Sequence, residues 1–257
     1  MSAVIFLHIP KACGTTLTKL LQRWCRREEV YEVGKKPREE HVAELRARPG
    51  VRLVIGHAAF GLHEAMPPGT RYVTVLRDPV ERLVSHFHYA GRTPVHRLYE
   101  PIRSGEMTLL ALARHVANLQ TRYLGGRVED VPDEATLARA KENVTRHFAV
   151  AGVAERFDET VVLLHRVFAR KLRPFASENV GARRSPLESL NADELRDIRA
   201  AHELDYALFD FVRARFEEQV AQQDETFARQ VAALRLGNRV ADFATRAVRR
   251  LRPGGTQ

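Results

Sequence analysis

The stretch Ala3-Val4-Ile5-Phe6-Leu7-His8-Ile9-Pro10-Lys11-Ala12-Cys13-Gly14-Thr15-Thr16-Leu17 decides the fold. An apolar run ends in a proline, a lysine, a glycine and two threonines, and a helical pattern follows. Strand, tight loop and helix N-terminus in that order make an anion site. The first N–H groups of a helix lack intrahelical acceptors, and the helix dipole is positive at that end. Lys11 adds a full positive charge, and Thr15 and Thr16 add hydroxyl donors. The order of residues narrows the ligand. A Walker A loop sets its lysine directly after the last glycine and before Ser/Thr, whereas Lys11 precedes Gly14. This is not an ordinary ATP or GTP loop.

Further along, apolar runs alternate with helical patterns. Val51–Ile55 ends at Gly56-His57, and Tyr72–Leu76 ends at Arg77-Asp78-Pro79. Asp78 can cap, and Pro79 open, a helix over Val80–Tyr89. Short apolar runs of this kind read as buried parallel strands. A first helix is expected from about Thr15 to Arg26, a polar segment over Glu28–Pro49, and later helices over Leu109–Asn118, Asp133–His147 and Phe157–Ala169. Phe148–Val153 is a fourth strand, and the chain from Ala192 onward is helical by periodicity. Strand-helix alternation predicts an α/β fold: a doubly wound, P-loop-like parallel sheet flanked by helices, with a helical C-terminal third. Residues 1–230 form one domain, followed by a basic helical tail over 231–257.

In such folds ligands bind at the carboxyl ends of the strands. Lys11, His57 and Arg77 each follow a strand, so parallel strands bring all three to one sheet edge. Arg77 can grip a phosphate with its planar fork, and Ser85 lies two helical turns further on. Taken alone, Arg77 reads better as the ion-pair partner of Asp78, Glu81 or another acid, and Ser85 as a helix-surface hydroxyl. His8 reads as a core histidine, and His63, His86 and His88 as packing or exposed side chains.

The chain of 257 residues, 44% hydrophobic and 28% charged, is that of a globular protein. It has no run of eighteen apolar residues and no signal-peptide pattern, so a soluble protein is expected. Two cysteines, Cys13 and Cys25, make no disulfide framework and suggest a reduced, cytoplasmic setting. The net charge of +9 is concentrated partly in the arginines of the tail. It leaves contact with an anionic membrane surface or polymer open, without aromatic interleaving for base stacking. No cluster of metal-ligating carboxylates is visible, and none is expected.

His8-Ile9-Pro10-Lys11-Ala12-Cys13-Gly14-Thr15-Thr16 resembles the 5′-phosphosulfate loop of carbohydrate sulfotransferases. Leu76-Arg77-Asp78-Pro79-Val80-Glu81-Arg82-Leu83-Val84-Ser85 resembles their 3′-phosphate segment. The heparan sulfate 2-O- and 6-O-sulfotransferases and their bacterial relatives are the nearest likeness, and Asn118–Leu124 is similar to a segment of the 6-O enzymes. The resemblance implies transfer of a sulfuryl group from 3′-phosphoadenosine 5′-phosphosulfate to a carbohydrate hydroxyl, with no metal. It assigns His57 as general base and Lys11 as the cation for the leaving phosphate oxygen. Lys11, Ala12, Cys13, Gly14, Thr15, Thr16 and Leu17 would hold the 5′-phosphosulfate, and Arg77 and Ser85 the 3′-phosphate. Asn179–Arg184 resembles a closing loop whose Arg183 and Arg184 would also meet the donor. Acceptor loops are expected at Tyr31–Arg38, Gly61–Glu64 and Thr93–Tyr99. The rival readings are a kinase with an atypical phosphate loop and a non-catalytic module that binds acidic glycan or nucleic acid. A magnesium-dependent ATPase assay or salt-dependent polymer binding without turnover would mark them.

Overall fold

The computed structural model describes residues 2–176 and 190–251. Arg183 and Arg184, with the rest of Asn179–Arg184, lie outside the described residues. Five strands form one parallel sheet: β1 (Val4–Leu7), β2 (Val30–Val33), β3 (Leu53–Gly56), β4 (Arg71–Leu76) and β5 (Phe148–Val153), in the order β2-β3-β1-β4-β5. Sheet growth runs to one side of β1 through β2 and β3, then switches to the other through β4 and β5. That reversal opens a crevice at the carboxyl end of β1. Val4, Ile5, Phe6 and Leu7 are all buried, although successive side chains point to opposite faces. Both faces of the sheet are therefore covered.

Eleven α-helices occur among the described residues. Joining the strands are α1 (Gly14–Gln22), α2 (Arg38–Arg46), and the series α3 (Pro79–Ala90), α4 (Tyr99–Arg103), α5 (Leu109–His115), α6 (Leu119–Gly125) and α7 (Glu134–His147). After β5 come α8 (Phe157–Val167), α9 (Ala192–Ala201), α10 (Glu203–Ala221) and α11 (Glu225–Leu251). The α/β class and the helical C-terminal third expected from the sequence are both present. The main core packs the strands against α1, α7, α8 and α10 and includes Val231 and Leu234 of α11. A second cluster joins Val80, Leu83 and Val84 of α3 to Leu112 and Ile198. No helix among the described residues is long and apolar enough to cross a membrane.

Three segments differ from expectation, the first being α1, which was expected to reach about Arg26 and ends at Gln22. The polar segment Glu28–Pro49 contains β2 and α2. Its strand is a four-residue sheet edge with exposed Glu32, too short and too polar to stand out by composition. The helix expected over Leu109–Asn118 ends at His115, because Asn118 turns left-handed at φ 52° and starts α6. Asparagine tolerates that conformation, and here its Oδ1 also accepts the Asp205 N–H at 3.0 Å.

Candidate functional site

The loop after β1 winds tightly. Lys11 and Cys13 both take left-handed backbone angles, φ 69° and 56°, and the Ala12 methyl between them is buried in the core. Residues other than glycine and asparagine seldom sit there without a compensating need. Gly14 opens α1 where only a glycine fits: a Cβ would lie 1.7 Å from His8 Nε2. Cys13 provides no side-chain cap, and the first turn of α1 carries no acid. The Gly14 and Thr15 N–H groups and the positive dipole end thus face the loop with no side-chain cap or first-turn acid among the described residues.

His57, directly after β3, is exposed and held by one hydrogen bond. Its Nδ1 donates to the His8 carbonyl at 2.7 Å. A carbonyl can only accept, so in the neutral ring Nδ1 carries the proton and Nε2 the free lone pair. The His57 ring rests 4.2 Å from the His8 ring, which stacks in turn on Phe6 at 5.3 Å. Burial, with His57 and Lys11 nearby, pushes the His8 pKa down to about 3. His8 is therefore neutral at pH 7 and places no charge beside the loop. A cleft of about 330 Å³ lies against His57, bounded by Thr15, Lys19, Glu32 and Gly56.

Asp78 caps α3 as expected, its Oδ1 accepting from Val80 and Glu81 N–H at 3.0 Å each, with Pro79 in the first turn. Arg77 spans the two halves of the site. It donates to the Lys11 carbonyl at 3.5 Å and to Glu81 Oε2 at 3.1 Å. Lys11 Nζ lies 3.8 Å above the Tyr89 ring. Glu81, Ser85 and Tyr89 follow one another at i, i+4 spacing and share one stripe of α3. Arg77 is fixed at one end of that stripe and Lys11 at the other, so Ser85 lies between the two cations. Burial lowers the Lys11 pKa, and the charges of Arg92 and Arg77 lower it further.

Sequence reasoning missed the layer beneath Arg77. Buried Gln120 clamps both backbone groups of Arg77: its Oε1 accepts the Arg77 N–H at 3.1 Å and its Nε2 donates to the Arg77 carbonyl at 2.9 Å. Buried Asp205 on α10 accepts from the N–H groups of Gln120 and Thr121, at 3.2 and 2.7 Å. Arg82 is fully buried, and none of its three side-chain nitrogens has a hydrogen-bond partner among the described residues. Burial raises the Asp205 pKa, yet His202 and Arg82 outweigh it and hold the carboxyl below its usual range. These hydrogen bonds join residues 43 to 85 apart in sequence, so no local pattern could show them. The i, i+4 series from Arg77 to Tyr89 was visible in the sequence.

The expected acceptor loops are placed as follows. Tyr31–Val33 belongs to β2, and Gly61–Glu64 is pinned where the Tyr72 hydroxyl accepts from the Gly61 and His63 N–H groups at 3.1 Å each. Thr93–Tyr99 follows α3 beside Tyr89.

A family model described as galactose-3-O-sulfotransferase matches residues 1–249. Galactose-3-O-sulfotransferase 3 of Bos taurus is 32% identical over 245 residues, covering 85% of this chain and 57% of that protein. Galactosylceramide sulfotransferase of Mus musculus is 27% identical over 262 residues, 91% of this chain and 62% of that protein. Heparan-sulfate 6-O-sulfotransferase 1-B of Danio rerio is 29% identical over 181 residues, 57% of this chain and 44% of that protein. The chain thus spans about three fifths of the length of the first two relatives and less than half of the third. Among solved structures, mouse sulfotransferase SULT7A1 complexed with PAP has a TM-score of 0.41 at 13% identity, over 81% of this chain and 65% of that one, too slight a likeness to bear on function. The cytoplasmic setting and bacterial kinship expected from the sequence are overturned. The relatives are vertebrate carbohydrate sulfotransferases, a Golgi-type rather than a cytoplasmic group. Two unpaired cysteines carry no address, and that inference had nothing else beneath it.

Proposed function

Because the chain belongs to the galactose-3-O-sulfotransferase family, we propose that it transfers a sulfuryl group from 3′-phosphoadenosine 5′-phosphosulfate to a carbohydrate hydroxyl. The family description makes the 3-hydroxyl of galactose the first acceptor to test. The observation that carries this reading is the meeting of Lys11, His57 and Arg77 on one edge, linked through His8 and the Lys11 carbonyl.

The donor supplies the sulfuryl group on a phosphate leaving oxygen. His57 Nε2 takes the proton of the attacking hydroxyl as its oxygen bonds to sulfur, and the bond from sulfur to the phosphate oxygen breaks. The tautomer fixed by the His8 carbonyl supports this role. Lys11 meets the charge growing on the leaving oxygen, and a partly desolvated ammonium gains more from such an oxygen than a solvated one does. The Gly14 and Thr15 N–H groups, the Thr15 and Thr16 hydroxyls and the backbone of Ala12, Cys13 and Leu17 hold the 5′ end. Arg77 and Ser85 hold the 3′-phosphate. Its fork gives Arg77 two donors for one phosphate, and the Gln120 clamp keeps its backbone in place.

The His57→Ala variant tests the reading. It should bind adenosine 3′,5′-bisphosphate like the parent and lose transfer to a galactoside by about 10²–10⁴-fold, the usual share of a general base. Transfer at a near-parental rate would remove His57 from the chemistry.

A further inference from the structure

Beyond Lys11 the chain builds a second cationic surface, from residues to which the proposed function gives no part in holding the donor. It begins at Tyr89, 42% exposed at the end of α3, with Lys11 Nζ over its ring. The His96 ring lies 5.8 Å from Tyr89 and 5.6 Å from His86. His96 Nδ1 accepts the Leu98 N–H at 3.2 Å, which leaves Nε2–H as a donor. Arg92 is tied at its Nε to the His88 carbonyl at 3.0 Å, and both Arg92 and Arg97 are exposed. Among the described residues no carboxylate stands within ion-pair distance of Lys11, Arg92 or Arg97. Burial, then Arg82, His96, Lys11 and Arg97 push His86 down to about 4, and Arg92 acts on Lys11 more strongly than Arg77 does.

Like charges gathered without an acid are costly until an anion joins them. The exposed part of the Tyr89 ring, beside Lys11, suits the apolar face of a sugar, and the arginine forks suit a carboxylate. The surface shares Lys11 with the reacting centre, so whatever occupies it lies next to the transferred group. We propose that Tyr89, Arg92, His96 and Arg97 form an acceptor subsite for an acidic saccharide, one whose sugar next to the target galactose carries a carboxylate. This rests on the sulfotransferase reading above and adds the charge of the acceptor to it.

Calorimetric titration of the full chain, saturated with adenosine 3′,5′-bisphosphate, tests the subsite without turnover. The probes are lactose and the same disaccharide with its glucose replaced by glucuronic acid. The uronate should bind about ten-fold more tightly than lactose at roughly 20 mM salt, an advantage that shrinks at about 0.5 M. The double variant Arg92→Gln/Arg97→Gln should lose this advantage and bind the bisphosphate like the parent. Equal affinity for the two disaccharides, or no measurable binding of either, would overturn the subsite. Loss of bisphosphate affinity in the variant would assign the patch to the donor's phosphates and overturn it as well. Failure of the parent to bind the bisphosphate would instead strike the sulfotransferase reading itself, and the subsite with it.

Discussion

Gly14→Ala probes the site at its tightest point. The added methyl would lie 1.7 Å from His8 Nε2 and 1.9 Å from Cδ2, where ordinary contact is about 3.5–4.0 Å. The ring must therefore move by roughly 2 Å. It is penned between buried Phe6 at 5.3 Å and His57 at 4.2 Å, so it cannot swing aside without displacing one of them. Overpacking of this kind costs about 1–3 kcal/mol, which lowers Tm by roughly 2–12 °C in a domain of this size. The ring that is pushed is the one His57 rests on, and a misplacement of about 1 Å can cost a hundred-fold in rate. Thermal unfolding and initial sulfation rates read both effects. The double variant His8→Ala/Gly14→Ala supplies the control: with the ring gone, the methyl has room, and the double variant should be as stable as His8→Ala alone. A Gly14→Ala protein with parental Tm and rate would refute the reasoning, as would a double variant destabilised by the sum of its parts.

Acid should weaken the fold through its neutral histidines. His8 titrates at about 3 when folded and near 6.5 when free, and His86 at about 4, so the unfolded chain binds more protons between those limits. Stability therefore falls as pH drops from 6.5 toward 3, and His8→Asn should flatten that fall; urea midpoints at pH 7, 5.5 and 4 check it, and parallel curves for the two proteins would contradict it. Arg82→Met should destabilise by about 3–5 kcal/mol, because it leaves the Asp205 carboxylate buried without its countercharge. An unchanged or raised urea midpoint would show that hydrogen bonds alone sustain Asp205.

The sheet and three of the cationic or basic positions were legible because each follows directly on an apolar run. Lys11, His57 and Arg77 end strands, and parallel pairing alone brings them to one edge. β2 was not legible, since an edge strand of four residues with Glu32 exposed carries little apolar signal. Gln120 and Asp205 were out of reach for another reason: their partners are set by tertiary packing across 43 to 85 residues. Tyr89 lay between these cases. Its spacing from Arg77, Glu81 and Ser85 was plain, but that Lys11 would rest on its ring depended on the left-handed turn of the loop.

The divided donor site is the centre of the account, and thermal shift with two nucleotides tests it most directly. Adenosine 3′,5′-bisphosphate at about 100 times its Kd should stabilise the protein by about 2.7 kcal/mol, or roughly 5–11 °C. Adenosine 5′-phosphate at the same concentration should do markedly less, and Arg77→Gln should bring the two together. Equal shifts from both nucleotides in the parent protein would contradict the assignment of Arg77 and Ser85.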